Sequence, residues 1–177
     1  AFDFDTPETT PEMEFYVSGT NGWFVGTDQN NTLDEEGNPT VGGGALYVSS
    51  DNGLTASYNT GSSTMSTASM LISIAPGQET HITFDYKVVG ESGWDYFTVY
   101  LVPFGVEMSD SYRVLSGTSQ VPSWTLKDIV LSPDYAGIYN LIFRWNNDNM
   151  YGTNPGAIVD NVKMIQTSCV ATAVDWM

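Results

Sequence analysis

The chain has 177 residues, and its 21 acidic and 5 basic side chains give a formal net charge of −16 at pH 7. A surface of that sign repels nucleic-acid phosphates and anionic lipid, so we predict no nucleic-acid partner and no membrane insertion. The length suits one well-packed domain. A single cysteine, Cys169, excludes an internal disulfide and a zinc site built on cysteines.

The predicted elements are short strands joined by turns. Aromatic residues make up 13% of the chain, and its 17 glycines and 8 prolines fall mostly between apolar segments. The polar segment 27–44, rich in Asp, Asn, Gly and Pro, is predicted to be a long loop. In chain order, about nine or ten strands are predicted, at residues 2–5, 22–26, 45–49, 55–58, 69–74, 81–88, 94–102, 124–131, 139–145 and 157–165, and residues 13–17 form a further apolar patch.

The segment 81–88 shows the clearest strand pattern. Apolar and polar residues alternate along it, which places one face in a core and the other in water. Together with the turn spacing, this predicts an all-β fold, a two-sheet antiparallel jelly-roll sandwich. We assign residues 1–166 to this domain and residues 167–177 to a linker or the start of a following module.

Several segments together resemble a known family. They are GW at 22–23, ALYVSSDNG at 45–53, ITFDYKVVGES at 82–92, DYFTVYL at 95–101 and GAIVDNV at 156–162. Over residues 2–165 this order resembles the cleaved-adhesin and choice-of-anchor J domains of Gram-negative surface proteins. The layout is also similar to animal MAM domains, which have a galactose-binding-like jelly roll. The resemblance implies an exported adhesion or ligand-binding module.

The resemblance also implies a structural calcium ion. Its acidic positions map to the first strand, the segment after residue 49 and the last strand, which gives Asp3, Asp5, Asp51 and Asp160 as metal ligands. First and last strands often pair in such sandwiches, which would bring Asp3 or Asp5 close to Asp160. Calcium binds six to eight oxygen ligands, often several carboxylates. The alternative is that these charges only block edge-to-edge strand pairing.

Exposed aromatic residues are the candidate ligand-binding residues. Tryptophan and tyrosine rings can stack on sugars while polar neighbours bond the hydroxyls. The predicted contacts are Trp23, Trp94, Trp145, Tyr151 and Asn154. The alternative for each tryptophan is a place in the hydrophobic core.

Catalysis finds little support in the sequence. His81 is the only histidine, so any nucleophile–histidine triad must include it, and Cys169 lies in the tail. The remaining option is a glycosidase-like carboxylate pair, for which Glu91 and Asp95 flank one loop and Asp34, Glu35 and Glu36 cluster in another. Acidic loop residues are usually only solvated, so we predict no catalytic residues and no enzyme.

The predicted function is therefore a non-catalytic adhesion or ligand-binding module. We expect it to be monomeric within a longer chain, secreted or at the surface of a Gram-negative bacterium, with a glycan or a surface protein as its partner. The alternative is a carbohydrate-binding module attached to a secreted glycoside hydrolase or peptidase. A structural spacer between domains is the third option.

Overall fold

A computed structural model describes residues 1–168 of the chain. These residues form ten strands and two short 3₁₀ turns, at Pro7–Thr9 and Asp110–Tyr112. The strands are β1 (Glu14–Ser18), β2 (Gly22–Gly26), β3 (Ala45–Ser49), β4 (Thr64–Ile74), β5 (Gln78–Val88), β6 (Tyr96–Pro103), β7 (Arg113–Thr118), β8 (Val121–Leu131), β9 (Gly137–Asn147) and β10 (Ala157–Ser168). No helix in this part of the chain is long and apolar enough to cross a membrane.

The strands form two antiparallel five-stranded sheets. The front sheet has the order β1-β4-β9-β6-β7 and the back sheet the order β2-β3-β10-β5-β8. Every strand pairing is antiparallel, and most neighbours are distant in sequence, as Greek-key connections require. The predicted jelly-roll sandwich is confirmed.

The core lies between the two sheets and is built by alternation along the strands. On β5, Ile82, Phe84 and Val88 are fully buried, as the sequence pattern predicted. Phe84 of the back sheet contacts Phe143 of the front sheet edge to face, with ring centroids 5.3 Å apart. Such aromatic pairs add about 0.5–1.5 kcal/mol beyond the area that they bury. The sheets are thus held by large interdigitated rings.

The structure differs from the prediction in two strands that are absent, one additional strand and one boundary. Residue Phe2 forms only an isolated bridge with Val162, and the segment 55–58 forms no strand. In contrast, β7 was not predicted, because its polar sequence RVLSGT lies on a sheet edge and buries little apolar surface. The last strand runs through Ser168, beyond the predicted boundary at residue 166. The rest of the predicted linker, with Cys169, lies outside the described residues.

Candidate functional site

The outward surface of the front sheet, which we call the front face, carries polar and aromatic side chains in rows across the strands. Directly paired residues share a face, so Tyr16, Thr67, Arg144 and Thr98 form one row. The next row contains Glu14, Ser69, Ile142 and Tyr100. In these rows Tyr16 presents an exposed ring beside the polar side chains of Thr67 and Arg144, whereas Thr98 and Tyr100 are only 3% exposed.

Two cavities open on the front face. One, of about 600 Å³, is lined by residues that include Tyr96, Tyr100, Arg113 and Arg144. The other, of about 780 Å³, includes Ser69 in its wall. On the sheet, Ile142 of β9 lies between Ser69 of β4 and Tyr100 of β6, so the two cavities occupy neighbouring parts of one surface. An extended ligand crossing the strands can therefore contact both.

Arg144 stands in the middle of this face with few partners. Its Nη1 donates a long hydrogen bond of 3.4 Å to the Tyr100 hydroxyl. Its Nε is buried and has no acceptor among the described residues. In the same cavity, Arg113 forms an ion pair with Asp110 at 3.0 Å. Arg144 is thus the cation of the front face that no carboxylate neutralises in this part of the chain.

The loop of residues 27–44 covers part of the outward surface of the back sheet, which we call the back face. Gln29 Oε1 accepts a hydrogen bond from Lys87 of β5. The Asn31 backbone N–H donates to Asp160 Oδ2 at 2.6 Å, and the Asn31 amide donates to Asp85 at 3.0 Å. The loop therefore occupies the region around Asp85 and Asp160, whereas Leu126 and Val130 of β8, elsewhere on the back face, are 63% and 56% exposed.

Asp160 is the most strongly perturbed acid of the back face. Its side chain is 0% exposed. Burial raises the pKa of Asp160 to about 7, and the negative charges of Asp5 and Asp85 act in the same direction. Hydrogen bonds from the backbone N–H groups of Asn31 and Asn161 oppose this shift. The bridge between Phe2 and Val162 places the start of the chain beside the last strand, and a metal site shared by Asp5 and Asp160 stays a prediction.

The other two predicted metal ligands have different roles. Asp3 Oδ1 accepts a hydrogen bond from the Asp5 backbone N–H. Asp51 accepts hydrogen bonds from Ser49 and Thr55 within its own turn, which lower the pKa of Asp51 to about 2. No converging group of acidic side chains in residues 1–168 includes any of the four predicted ligands. They therefore do not form one cluster.

A different group of carboxylates does converge. Oxygen atoms of Glu91, Asp95 and Asp148, the acidic trio, lie within 4.8 Å of one another in the loops at one end of the sandwich. Glu91 Oε2 is buried without a hydrogen-bond donor. Burial and the charges of Asp148 and Asp95 raise the pKa of Glu91, which is the expected result when like charges are held together. This trio could hold a metal ion.

The trio offers little to a glycosidase mechanism. Asp95 is fully buried, and the Tyr58 hydroxyl donates a hydrogen bond to it. Both cavities of the front face are lined by other residues. His81 lies between Glu79 and Asp128. The hydrogen bond with Glu79 makes the largest contribution to a raised pKa of the imidazole, and the hydrogen bond with Asp128 adds to it. Neither arrangement presents a nucleophile with its base.

The five predicted ligand residues lie in three different places. Trp23 and Trp145 are buried in the core, so neither ring has a face for a ligand, and the structure corrects this expectation. Trp94 is 62% exposed and Tyr151 is 73% exposed, both in loops next to the acidic trio. Asn154 Oδ1 accepts a hydrogen bond from the Tyr58 backbone. A ligand site at these loops stays a prediction.

The sequence analysis missed the front face. Its central residues Tyr16, Thr67 and Arg144 come from three strands, and one of these, β4, was predicted to begin only at residue 69. Arg144 was visible as a polar residue in an alternating apolar strand. Nothing in the sequence alone shows which strands are neighbours, and therefore which polar residues form a row.

Comparisons with known proteins support the fold. No protein-family model matches the chain, and no curated protein sequence matches it. The xylan-binding domain CBM22-1 of Paenibacillus barcinonensis Xyn10C is 12% identical and has a TM-score of 0.50, over 94% of this chain and 92% of that domain. The Stig cyclase Fisc from Fischerella sp. TAU is 14% identical and has a TM-score of 0.51, over 94% of both chains.

The chain has a jelly-roll β-sandwich fold. At such low identity, the two likenesses show the fold alone. One of these neighbours is a binding domain and the other is an enzyme. The fold therefore assigns no activity by itself, and the function has to be argued from the surface.

Proposed function

We propose that the protein is a non-catalytic carbohydrate-binding module and that it binds its glycan on the front face. The observation that carries this proposal is the row Tyr16–Thr67–Arg144, which ends at the buried Thr98 and is bordered by two cavities on one sheet surface. Tyr16 is 56% exposed, so its ring can stack on a pyranose. The neighbouring hydroxyl and guanidinium groups supply donors for the sugar hydroxyls.

The shape of the surface favours a polysaccharide over a small sugar. The cavities occupy neighbouring parts of a sheet that is five strands wide. The xylan-binding domain with the same fold gives a precedent for a glycan ligand on this framework. Adhesion at a bacterial surface and membership of the cleaved-adhesin group stay predictions, as does export from the cell.

We also propose that a structural calcium ion binds at the acidic trio. The convergence of three carboxylate oxygens within 4.8 Å supports this location over the set Asp3, Asp5, Asp51 and Asp160. Calcium ligands are hard oxygen atoms at about 2.3–2.6 Å from the ion, a spacing that oxygens this close together can satisfy. The ion would supply positive charge to neutralise the trio, with the buried Glu91 Oε2 among its ligands.

A pair of matched variants tests the binding site. Tyr16→Ala removes an exposed ring from the front face, and Trp94→Ala removes a ring of similar exposure from the loops. Affinity electrophoresis against xylan, β-glucan and galactan measures the binding of both variants. We expect Tyr16→Ala to weaken binding by about tenfold or more and Trp94→Ala to have little effect. Loss of binding only in Trp94→Ala would place the site at the loops instead.

A further inference from the structure

The front face has a feature that a site for neutral sugars does not need. Arg144 holds a guanidinium group in a cavity wall and forms no ion pair with any described residue. We propose that the ligand is an acidic glycan and that Arg144 binds the carboxylate of a hexuronic acid unit. This inference rests on the proposed function and names the substrate class of the same site.

Two of the few basic residues lie together on the front face. The chain has only 5 basic residues against 21 acidic ones, yet 2 of the 5, Arg113 and Arg144, line the 600 Å³ cavity. Asp110 lines the same cavity, but Arg113 already pairs with it. With so many carboxylates in the protein, an arginine that none of them meets is available for a carboxylate of the ligand.

The local geometry holds the guanidinium in place without satisfying it. Thr67 of β4 and Thr98 of β6 are the direct cross-strand neighbours of Arg144, and both are β-branched residues with few rotamers. The single hydrogen bond that the group donates is the long one to Tyr100. The guanidinium is planar and has five N–H donors, an arrangement that matches the two oxygens of a carboxylate. A lone sugar hydroxyl uses fewer of these donors.

The overall charge sets a condition on this binding. A protein of net charge −16 repels a polyanion at long range. At physiological salt that repulsion is largely screened beyond about 8 Å, whereas an ion pair in contact inside a cavity is screened much less. Binding of an acidic glycan should therefore persist, or strengthen, when salt is raised from low to physiological concentration. Non-specific attraction of a polyanion would weaken under the same change.

Matched polysaccharide pairs test the inference. Polygalacturonate is compared with its methyl ester, and glucuronoxylan with carboxyl-reduced glucuronoxylan, by isothermal titration calorimetry at physiological salt. We expect the acidic member of at least one pair to bind about tenfold tighter. Arg144→Gln should remove this preference, and Arg144→Lys should retain only part of it because an ammonium lacks the planar fork. Lys163→Gln, which removes an equal charge from the back sheet, should preserve the preference.

The outcomes separate the inference from the proposed function. Equal or tighter binding of the neutral members overturns the acidic-sugar assignment and leaves the binding module intact. A preference for acid that survives in Arg144→Gln also overturns it. If no neutral or acidic glycan binds the wild-type protein, the proposed function itself fails. Thermal melting of each variant confirms that it is folded, and Arg144→Lys preserves the charge if Arg144→Gln is unstable.

Discussion

The two outer faces of the sandwich are built on similar sheets but end differently. On the back face, the loop 27–44 is bonded to Asp85, Lys87 and Asp160 and covers the sheet around them. On the front face no comparable loop crosses β4 and β9, so Thr67 and Arg144 remain at the surface of the described structure. The polar groups of the back face that contact the loop bond the chain itself, whereas Thr67 and Arg144 belong to the surface where we propose that the glycan binds.

The difference shows how polar residues on a sheet can be interpreted. Asp160 and Arg144 are each a charged residue in an otherwise apolar strand, and the sequence pattern treats them alike. The structure gives Asp160 two backbone N–H donors and complete burial. It gives Arg144 one long hydrogen bond and a place in a cavity wall. A polar group whose hydrogen bonds are satisfied indicates stability, whereas an unsatisfied one indicates recognition.

The largest expected effect concerns the pH dependence of the back face. The folded-state pKa of Asp160, about 7, is above its ordinary value of 3.8, so the folded protein binds more protons than the unfolded protein between these values. Stability should therefore fall as pH rises from about 4 to about 8, by up to about 4 kcal/mol from this residue. Thermal melting of the metal-free protein across this range measures the fall.

Asp160→Asn tests the cause of this slope. The variant should lose part of the pH dependence, while the share from Glu91 and Asp95, whose pKa values are also raised, should remain. The same slope in the variant and the wild type would show that the back face does not titrate in this way.

The second effect asks whether a metal ion belongs to the loops or to the back face. Millimolar calcium should raise the melting temperature relative to the protein in chelator. The free energy of unfolding should rise by about 2.7 kcal/mol when calcium is in hundredfold excess over its Kd. Glu91→Gln and Asp148→Asn should abolish the increase, because they remove ligands of the acidic trio. Asp5→Asn, a matched change on the back face, should retain it. The opposite pattern would assign the ion to Asp5 and Asp160.

The smallest effect compares one hydroxyl from each face. Tyr47 of the back face donates to the Gly53 carbonyl and accepts from the Asp28 backbone N–H, so Tyr47→Phe should lower the free energy of unfolding by about 1–2 kcal/mol. Thr67→Val, a change of similar shape on the front face, should alter it by less than about 0.5 kcal/mol. Urea titration measures both. Equal losses would mean that the two faces are equally integrated into the fold.

The fold was more predictable from sequence than the site. Period-2 alternation identified β5 and β9 because their inward residues fill the core. The loop 27–44 was predicted from its turn residues. The prediction of a strand at residues 55–58 was wrong, because the alternating pattern there reflects the packing of a loop against Tyr47 rather than pairing in a sheet. Its Ala56 is buried in that small cluster, which gives the same burial pattern as a strand.

The site depended on information that a sequence pattern does not hold. Trp23 and Trp145 were expected at a ligand because they are tryptophans, but their strands turn them into the core, where the Trp23 indole donates to Ser66 of the opposite sheet. Two members of the acidic trio, Glu91 and Asp95, were recognised from the sequence as a possible carboxylate pair. Asp148 joins them only because β9 and β6 are neighbours. Long-range strand pairing decided every one of these outcomes.

The cross-strand row that contains Arg144 has a consequence for the thermodynamics of binding. Its side chains stand on hydrogen-bonded strands, and its two threonines are β-branched with few rotamers, so part of the surface is already ordered in the free protein. Association then orders mainly the side chains of Tyr16 and Arg144 and the glycosidic linkages of the ligand. A glycan that is stiff in solution should gain the most from such a pre-ordered surface.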